Sequence, residues 1–131
     1  AWDRMSMLNT RSAFNVLRAF GPLLQRSERA RAVTVAAAGV LRGGGGGMAA
    51  YAASKGAVIA LTRALAEEWG PAGVTVNALA PTAIDTAANR AAMPDADRSG
   101  WVTPDELAAL TRFLTSDAAR VITGNVVVAG R

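Results

Sequence analysis

Three short, uncharged, apolar runs, each separated from the next by a segment with helical spacing, constrain this chain more than anything else in it. They are Ala32-Val33-Thr34-Val35-Ala36-Ala37-Ala38, Gly73-Val74-Thr75-Val76-Asn77-Ala78-Leu79-Ala80 and Asn125-Val126-Val127-Val128. Strands that are apolar on both faces belong to a parallel sheet covered on both sides. Before the first run, Ala1 to Phe20 places Trp2, Met5, Leu8, Phe14, Leu17 and Phe20 near helical spacing, and Gly21-Pro22 is expected to end that helix. Met48 to Trp69 is the strongest helical pattern, with Gly70-Pro71 as its stop. Pro81 to Gly100 reads as a long loop with helical turns. Thr103-Pro104-Asp105-Glu106 then supplies an N-cap, a first-turn proline and early acids for a helix reaching about Ser116. The order α-β-α-β-loop-α-β predicts an α/β fold with three parallel strands and right-handed crossovers, in one domain over 1–131.

Composition narrows the function. Hydrophobic residues make up 51% of the 131 and charged residues 18%, which favours a folded chain over a disordered one. No run approaches the roughly 18 apolar residues of a membrane helix; the longest mild stretch is Gly56 to Leu61. Ala1 opens directly into Trp2-Asp3-Arg4, so no secretory signal is expected and a cytoplasmic location is. Cysteine and histidine are absent, which excludes disulfides, thiol nucleophiles, serine–histidine triads and nearly all zinc sites, and no metal is expected. The net charge is 14 − 10 = +4, from 13 Arg and 1 Lys against the acids. The arginines are scattered, and only Arg26, Arg29 and Arg31 cluster, with Glu28 among them. A nucleic-acid surface needs a dense basic stripe with interleaved aromatics, so neither nucleic acid nor membrane is an expected partner.

The chain has one tyrosine and one lysine, Tyr51 and Lys55, four apart at the start of the strongest helix. That spacing puts both on one helix face. A free phenol, with pKa near ~10, is a poor acid or base at neutral pH. A neighbouring ammonium favours the phenolate, which would make the pair a proton-transfer device for a carbonyl or an alcohol. On spacing alone, a packed aromatic beside a solvated lysine is the better explanation, because a Tyr and a Lys four apart often occur by chance.

The surroundings add more. Tyr51-Ala-Ala-Ser54-Lys55-Gly-Ala-Val, followed by Val76-Asn77-Ala-Leu-Ala-Pro81-Thr82-Ala-Ile84-Asp85-Thr86, closely resembles the short-chain dehydrogenase/reductase family. There a Tyr-x-x-x-Lys helix precedes a Val-Asn-x-x-x-Pro-Gly strand. Trp2-Asp-Arg-Met…Leu8-Asn9-Thr-Arg-Ser-Ala-Phe14 resembles the family helix carrying a catalytic asparagine. Phe113-Leu-Thr-Ser116-Asp117…Ile122-Thr123-Gly124 resembles its last helix and Thr-Gly turn. The resemblance runs in order along the whole chain and is nearest to the classical, 3-oxoacyl-reductase-like type.

It implies the C-terminal half of a Rossmann-type doubly wound parallel sheet, NAD or NADP as cofactor, and a small carbonyl or alcohol substrate. By the same resemblance, Tyr51 would be the proton donor or acceptor. Lys55 would support it and hold the nicotinamide ribose, and Asn9 would hold a water linking Lys55 to solvent. Pro81, Thr82, Ile84 and Thr86 would border the nicotinamide.

Three departures accompany the resemblance. The family serine lies 13 residues before the tyrosine, and that position is Ala38. The Pro-Gly of the nicotinamide loop is Pro81-Thr82, placing a side chain where backbone approaches cofactor. The family's opening strand, glycine-rich turn and Asn-Asn-Ala-Gly strand have no counterpart, so a truncated enzyme, weak or inactive alone, is expected. A non-catalytic oligomerisation or regulatory subunit on the same half-fold is the other reading. The Gly39 to Gly47 loop formally fits a G-x-G-x-x-A pattern, but its five-glycine run makes the match nearly free, and mobility is its expected consequence. A homo-oligomer is expected: the Ala32–Ala38 strand lacks a neighbour on one side, and the first and longest helices present Met7, Phe14, Ala60 and Ala64 outward.

Overall fold

The computed structural model describes residues 1–131 and contains a three-stranded, fully parallel sheet in the order β1-β2-β3. The strands are Arg31–Val35 (β1), Thr75–Pro81 (β2) and Val126–Ala129 (β3). Their register pairs Val35 with Leu79 and Leu79 with Val127. All seven β2 residues are buried, as a central strand between two neighbours requires. β1 ends earlier than the apolar run suggests. Ala36 still donates its N–H to the Leu79 carbonyl, but Ala38 already opens a 3₁₀ turn, Ala38–Arg42.

The N-terminal helical segment is continuous but not uniform: α1 (Trp2–Met5), a π-helical turn Ser6–Arg11, and α2 (Ser12–Leu24). It does not stop at Phe20. Pro22 sits inside the last turn, where a missing N–H costs one intrahelical bond, and Gln25 closes the end on the Gly21 carbonyl. Gly21 serves packing: a Cβ there would come within 2.9 Å of the Trp69 ring. The pair lets α2 lie close against α3 (Ala49–Trp69). Trp69, Leu17, Ala30, Ala66, Val74 and Val76 form the main core cluster, and Ala36, Ile59 and Ala80 a second one nearer the strand ends.

The irregular stretch after β2 holds one short helix, α4 (Ala87–Ala92), and a parallel bridge between Ile84 and Val102. α5 (Pro104–Leu114) starts with a full capping box: Glu106 donates its N–H to the Thr103 hydroxyl, and its carboxylate accepts from the Thr103 N–H at 2.8 Å. Those bonds hold the Glu106 carboxyl below its ordinary pKa. Buried Asn77 fastens the approach to β3. Its Nδ2 donates to the Ile122 carbonyl at 2.8 Å, and its Oδ1 accepts from the Asn125 N–H at 3.1 Å.

Candidate active site

Parallel strands release their chain ends on one side of a sheet, and that side is where an open α/β sheet collects its functional groups. Here a cleft of about 630 Å³ lies beyond the C-terminal ends of β1 and β2. Its walls are Val35 to Val40 from β1 and the following turn, and Pro81 to Ile84 from β2. Tyr51 and Lys55 enter from α3, and Asn89 and Met93 from α4 and the residue after it. The cleft therefore brings together Tyr51, Lys55, Pro81, Thr82 and Ile84.

Lys55 is fixed by more than helix spacing. Its Nζ donates to the Val35 carbonyl at 2.9 Å, and partial burial lowers its pKa from the ordinary lysine value. Tyr51 is half-buried on the same wall, and its hydroxyl makes no hydrogen bond within the protein. Asn9 is reached by a different route. It lies in the π-helical turn, a geometry that widens one helical turn and re-aims its side chains. Its Nδ2 donates to the Ser54 hydroxyl at 2.9 Å. Ser54 in turn donates to the Tyr51 carbonyl at 2.8 Å, and the Thr10 hydroxyl donates to the Ser54 carbonyl at 3.0 Å. Buried Ser54 thus locks the asparagine turn onto the Tyr51–Lys55 helix. A second cavity, about 290 Å³, has both Asn9 and Lys55 in its lining.

Ser54 was not singled out by the sequence beyond being a hydroxyl beside the pair. Its position three after Tyr51 was the available signal; its partner lies 45 residues away. Thr86 is not on the cleft wall. It caps α4 instead, accepting the Asn89 N–H at 3.2 Å, and the Asn89 amide donates to the Ile84 carbonyl at 2.8 Å. Thr82 lines the cleft, but its hydroxyl donates to the Gly100 carbonyl at 2.7 Å and its side chain abuts Gly130. Ala38 is buried in the wall, so the position of the family serine offers no hydroxyl. The glycine loop is conformationally specific: Gly43, Gly44, Gly45 and Gly47 all have φ between 73° and 92°.

A nicotinamide group fits these residues at one end. Lys55 brings a cation to the cleft, and Pro81 to Ile84 line the same cleft. The Gly43 to Gly47 loop precedes α3, but the α3 N-cap, Met48, makes no side-chain cap bond. No cluster of three metal-ligating side chains occurs, and no helix is long and apolar enough to cross a membrane.

The family model described as enoyl-(acyl carrier protein) reductase matches residues 1–130. A 2-dehydro-3-deoxy-D-gluconate 5-dehydrogenase of Pseudoalteromonas atlantica is 34% identical over 97% of this chain and 54% of its own length. A galactitol 2-dehydrogenase of Rhizobium johnstonii is 37% identical over 96% of this chain and 53% of its own. Among solved structures, a 3-ketoacyl-(acyl-carrier-protein) reductase of Brucella melitensis complexed with NADH superposes with a TM-score of 0.81 at 30% identity, over 97% of this chain and 55% of that one. The chain spans about half the length of the curated relatives it matches.

Proposed function

The chain belongs to the short-chain dehydrogenase/reductase family, and from that membership we propose that its cleft serves NAD(P)-dependent interconversion of a small carbonyl compound and its alcohol. The observation that carries the proposal is the convergence of Tyr51, Lys55 and the Pro81–Ile84 wall on one cleft at the strand ends.

When bound, the nicotinamide supplies or accepts the hydride. Tyr51 gives a proton to the substrate oxygen during reduction and takes it back during oxidation; its hydroxyl is free of protein partners. Lys55, whose Nζ donates to the Val35 carbonyl, would hold the nicotinamide ribose. Asn9, held by Ser54, leaves its amide oxygen for a water that connects Lys55 to solvent. Pro81, Thr82 and Ile84 would border the nicotinamide ring, and Thr86 would support that border by capping α4.

The reaction is expected to be slow. Ala38 provides no donor to the substrate oxygen, and one missing donor of this kind costs about 10²–10³ in rate. The Thr82 hydroxyl, bonded to Gly100, does not replace it. A non-catalytic, oligomer-forming role is the second reading, favoured by Ala38 and by the apolar residues exposed on the first helical segment: Leu8, Val16, Phe20 and Leu23. Self-association through that surface is part of both readings.

The deciding experiment follows NADH and NADPH oxidation with a panel of ketones. Tyr51→Phe should abolish whatever turnover is found, Lys55→Ala should nearly do so, and Ala38→Ser should raise it. Turnover unchanged in Tyr51→Phe would remove the catalytic reading.

A further inference from the structure

β1 is paired on one side only, and its backbone groups can be sorted residue by residue. Ala36 donates its N–H to the Leu79 carbonyl, and the Ala30 carbonyl accepts from the Thr75 N–H. Successive residues of a strand face alternate sides, so these two bonds turn the even-numbered residues toward β2. The N–H and C=O groups of Arg31, Val33 and Val35 therefore point to the free edge. One of them has a partner: the Val35 carbonyl accepts from the Lys55 ammonium at 2.9 Å. The chain's only lysine is thus held on an edge carbonyl. Lys55 also lies between two cavities. It lines the cleft, and it lines the cavity of about 290 Å³ that Val33 and Val35 share with Leu8 and Val16 of the first helical segment.

Edge strands are ordinarily guarded by an outward charge or a proline. β1 has no proline, and its one charge is turned back into its own chain. The Arg31 side chain is 9% exposed, donates to the Ala30 carbonyl at 2.8 Å and lies 4.0 Å from the Asp117 carboxylate. Val35, Leu8 and Val16 are each more than half exposed. Such an edge suits an uncharged, extended strand accompanied by apolar side chains, and β1 with its helix is itself that kind of element. Two β1 strands related by a two-fold axis at Val33 would run antiparallel. The two Val33 residues would exchange both bonds, and Val35 of each copy would exchange both with Arg31 of the other. No like charges oppose each other in that register.

We propose that two copies of this chain pair through the free edges of β1, and that the added strand takes the Val35 carbonyl from Lys55 and leaves the ammonium to the cleft. The Arg31 N–H of the second copy is the donor that replaces the ammonium. The added strand also fills the edge cavity, so of the two cavities that Lys55 lines only the cleft stays open to it. The proposal rests on the carbonyl–alcohol reading for what Lys55 then does, and goes beyond it in making the site incomplete in a single copy.

The full chain, carrying carbon-13 at the lysine Cε, is followed over a dilution series by sedimentation, amide exchange and NMR. On association the Val33 and Val35 amides should slow at least about tenfold, while Thr34, whose N–H already faces β2, should keep its rate. The single lysine resonance should move with the same midpoint. Val33→Pro removes one edge N–H and no bond to β2. It should abolish association and hold the lysine resonance at its dilute position, with an unchanged circular dichroism spectrum. If Val33→Pro unfolds, the alternating protection in the parent chain decides by itself. A monomer at every concentration, association with Val33 and Val35 unprotected, or protection with a stationary lysine resonance would each overturn the proposal. None of these readouts needs cofactor or turnover, so an inactive chain that passes them sinks only the catalytic reading.

Discussion

β1 and β2 are built from the same kinds of residue and end in opposite environments. β2 has a strand on each side, and every one of its residues is buried. β1 has a partner on one side only, and its last residue, Val35, is 51% exposed. The helix alongside follows suit, with Val16, Phe20 and Leu23 each more than half exposed. Hydrophobic pattern reports which surfaces are suited to cover, and position in the sheet decides which of them this chain covers by itself. The two flanks should therefore respond differently to substitution.

The largest effect is expected on the sealed side. Trp69→Ala removes the ring that Gly21 and the main core cluster pack around, and should cost about 3–5 kcal/mol of stability in urea denaturation. A loss below about 1 kcal/mol would mean that the α2–α3 contact contributes little. Asn77→Leu comes next. It leaves the Ile122 carbonyl and the Asn125 N–H without their partner beside β2, at about 2–4 kcal/mol. Faster amide exchange at Asn125 would locate that loss at the turn into β3. Phe20→Glu, on the open side, should change stability by no more than about 0.5 kcal/mol. It should nevertheless weaken self-association at least about tenfold by sedimentation. A stable, unaltered assembly in Phe20→Glu would place the interface elsewhere and blunt the contrast between the flanks.

Much of this was legible in the sequence, for reasons that differ by region. The three strands announced themselves because a run without charge, rich in valine and threonine, has few alternatives in a chain of this size. The α5 start was readable because Thr103 and Glu106 satisfy each other's backbone locally. The end of the first helix was not. Gly21-Pro22 looks like punctuation, yet Gly21 answers to Trp69, 48 residues further on, a contact no local pattern carries. The site divides the same way. Tyr51 and Lys55 were visible through helix spacing and family resemblance. The Asn9–Ser54 bond and the capping use of Thr86 depend on how a π-helical turn and a short helix come to rest. The glycine run is expected to be mobile, and four of its members take the left-handed conformations that glycine favours.

Thr82 carries a consequence for what position 130 can hold. Its side chain fills the space that a Cβ on Gly130 would need, and Gly130 itself sits at φ 113°. Position 130 is thus held to glycine by two independent constraints, one from its own backbone and one from its neighbour. Thr82 in this conformation is compatible only with glycine at 130. Replacing Thr82 with glycine would release only the second constraint, because the backbone conformation at 130 would still disfavour alanine. The coupling therefore runs one way: a larger residue at 130 needs both a smaller residue at 82 and a different backbone conformation at 130.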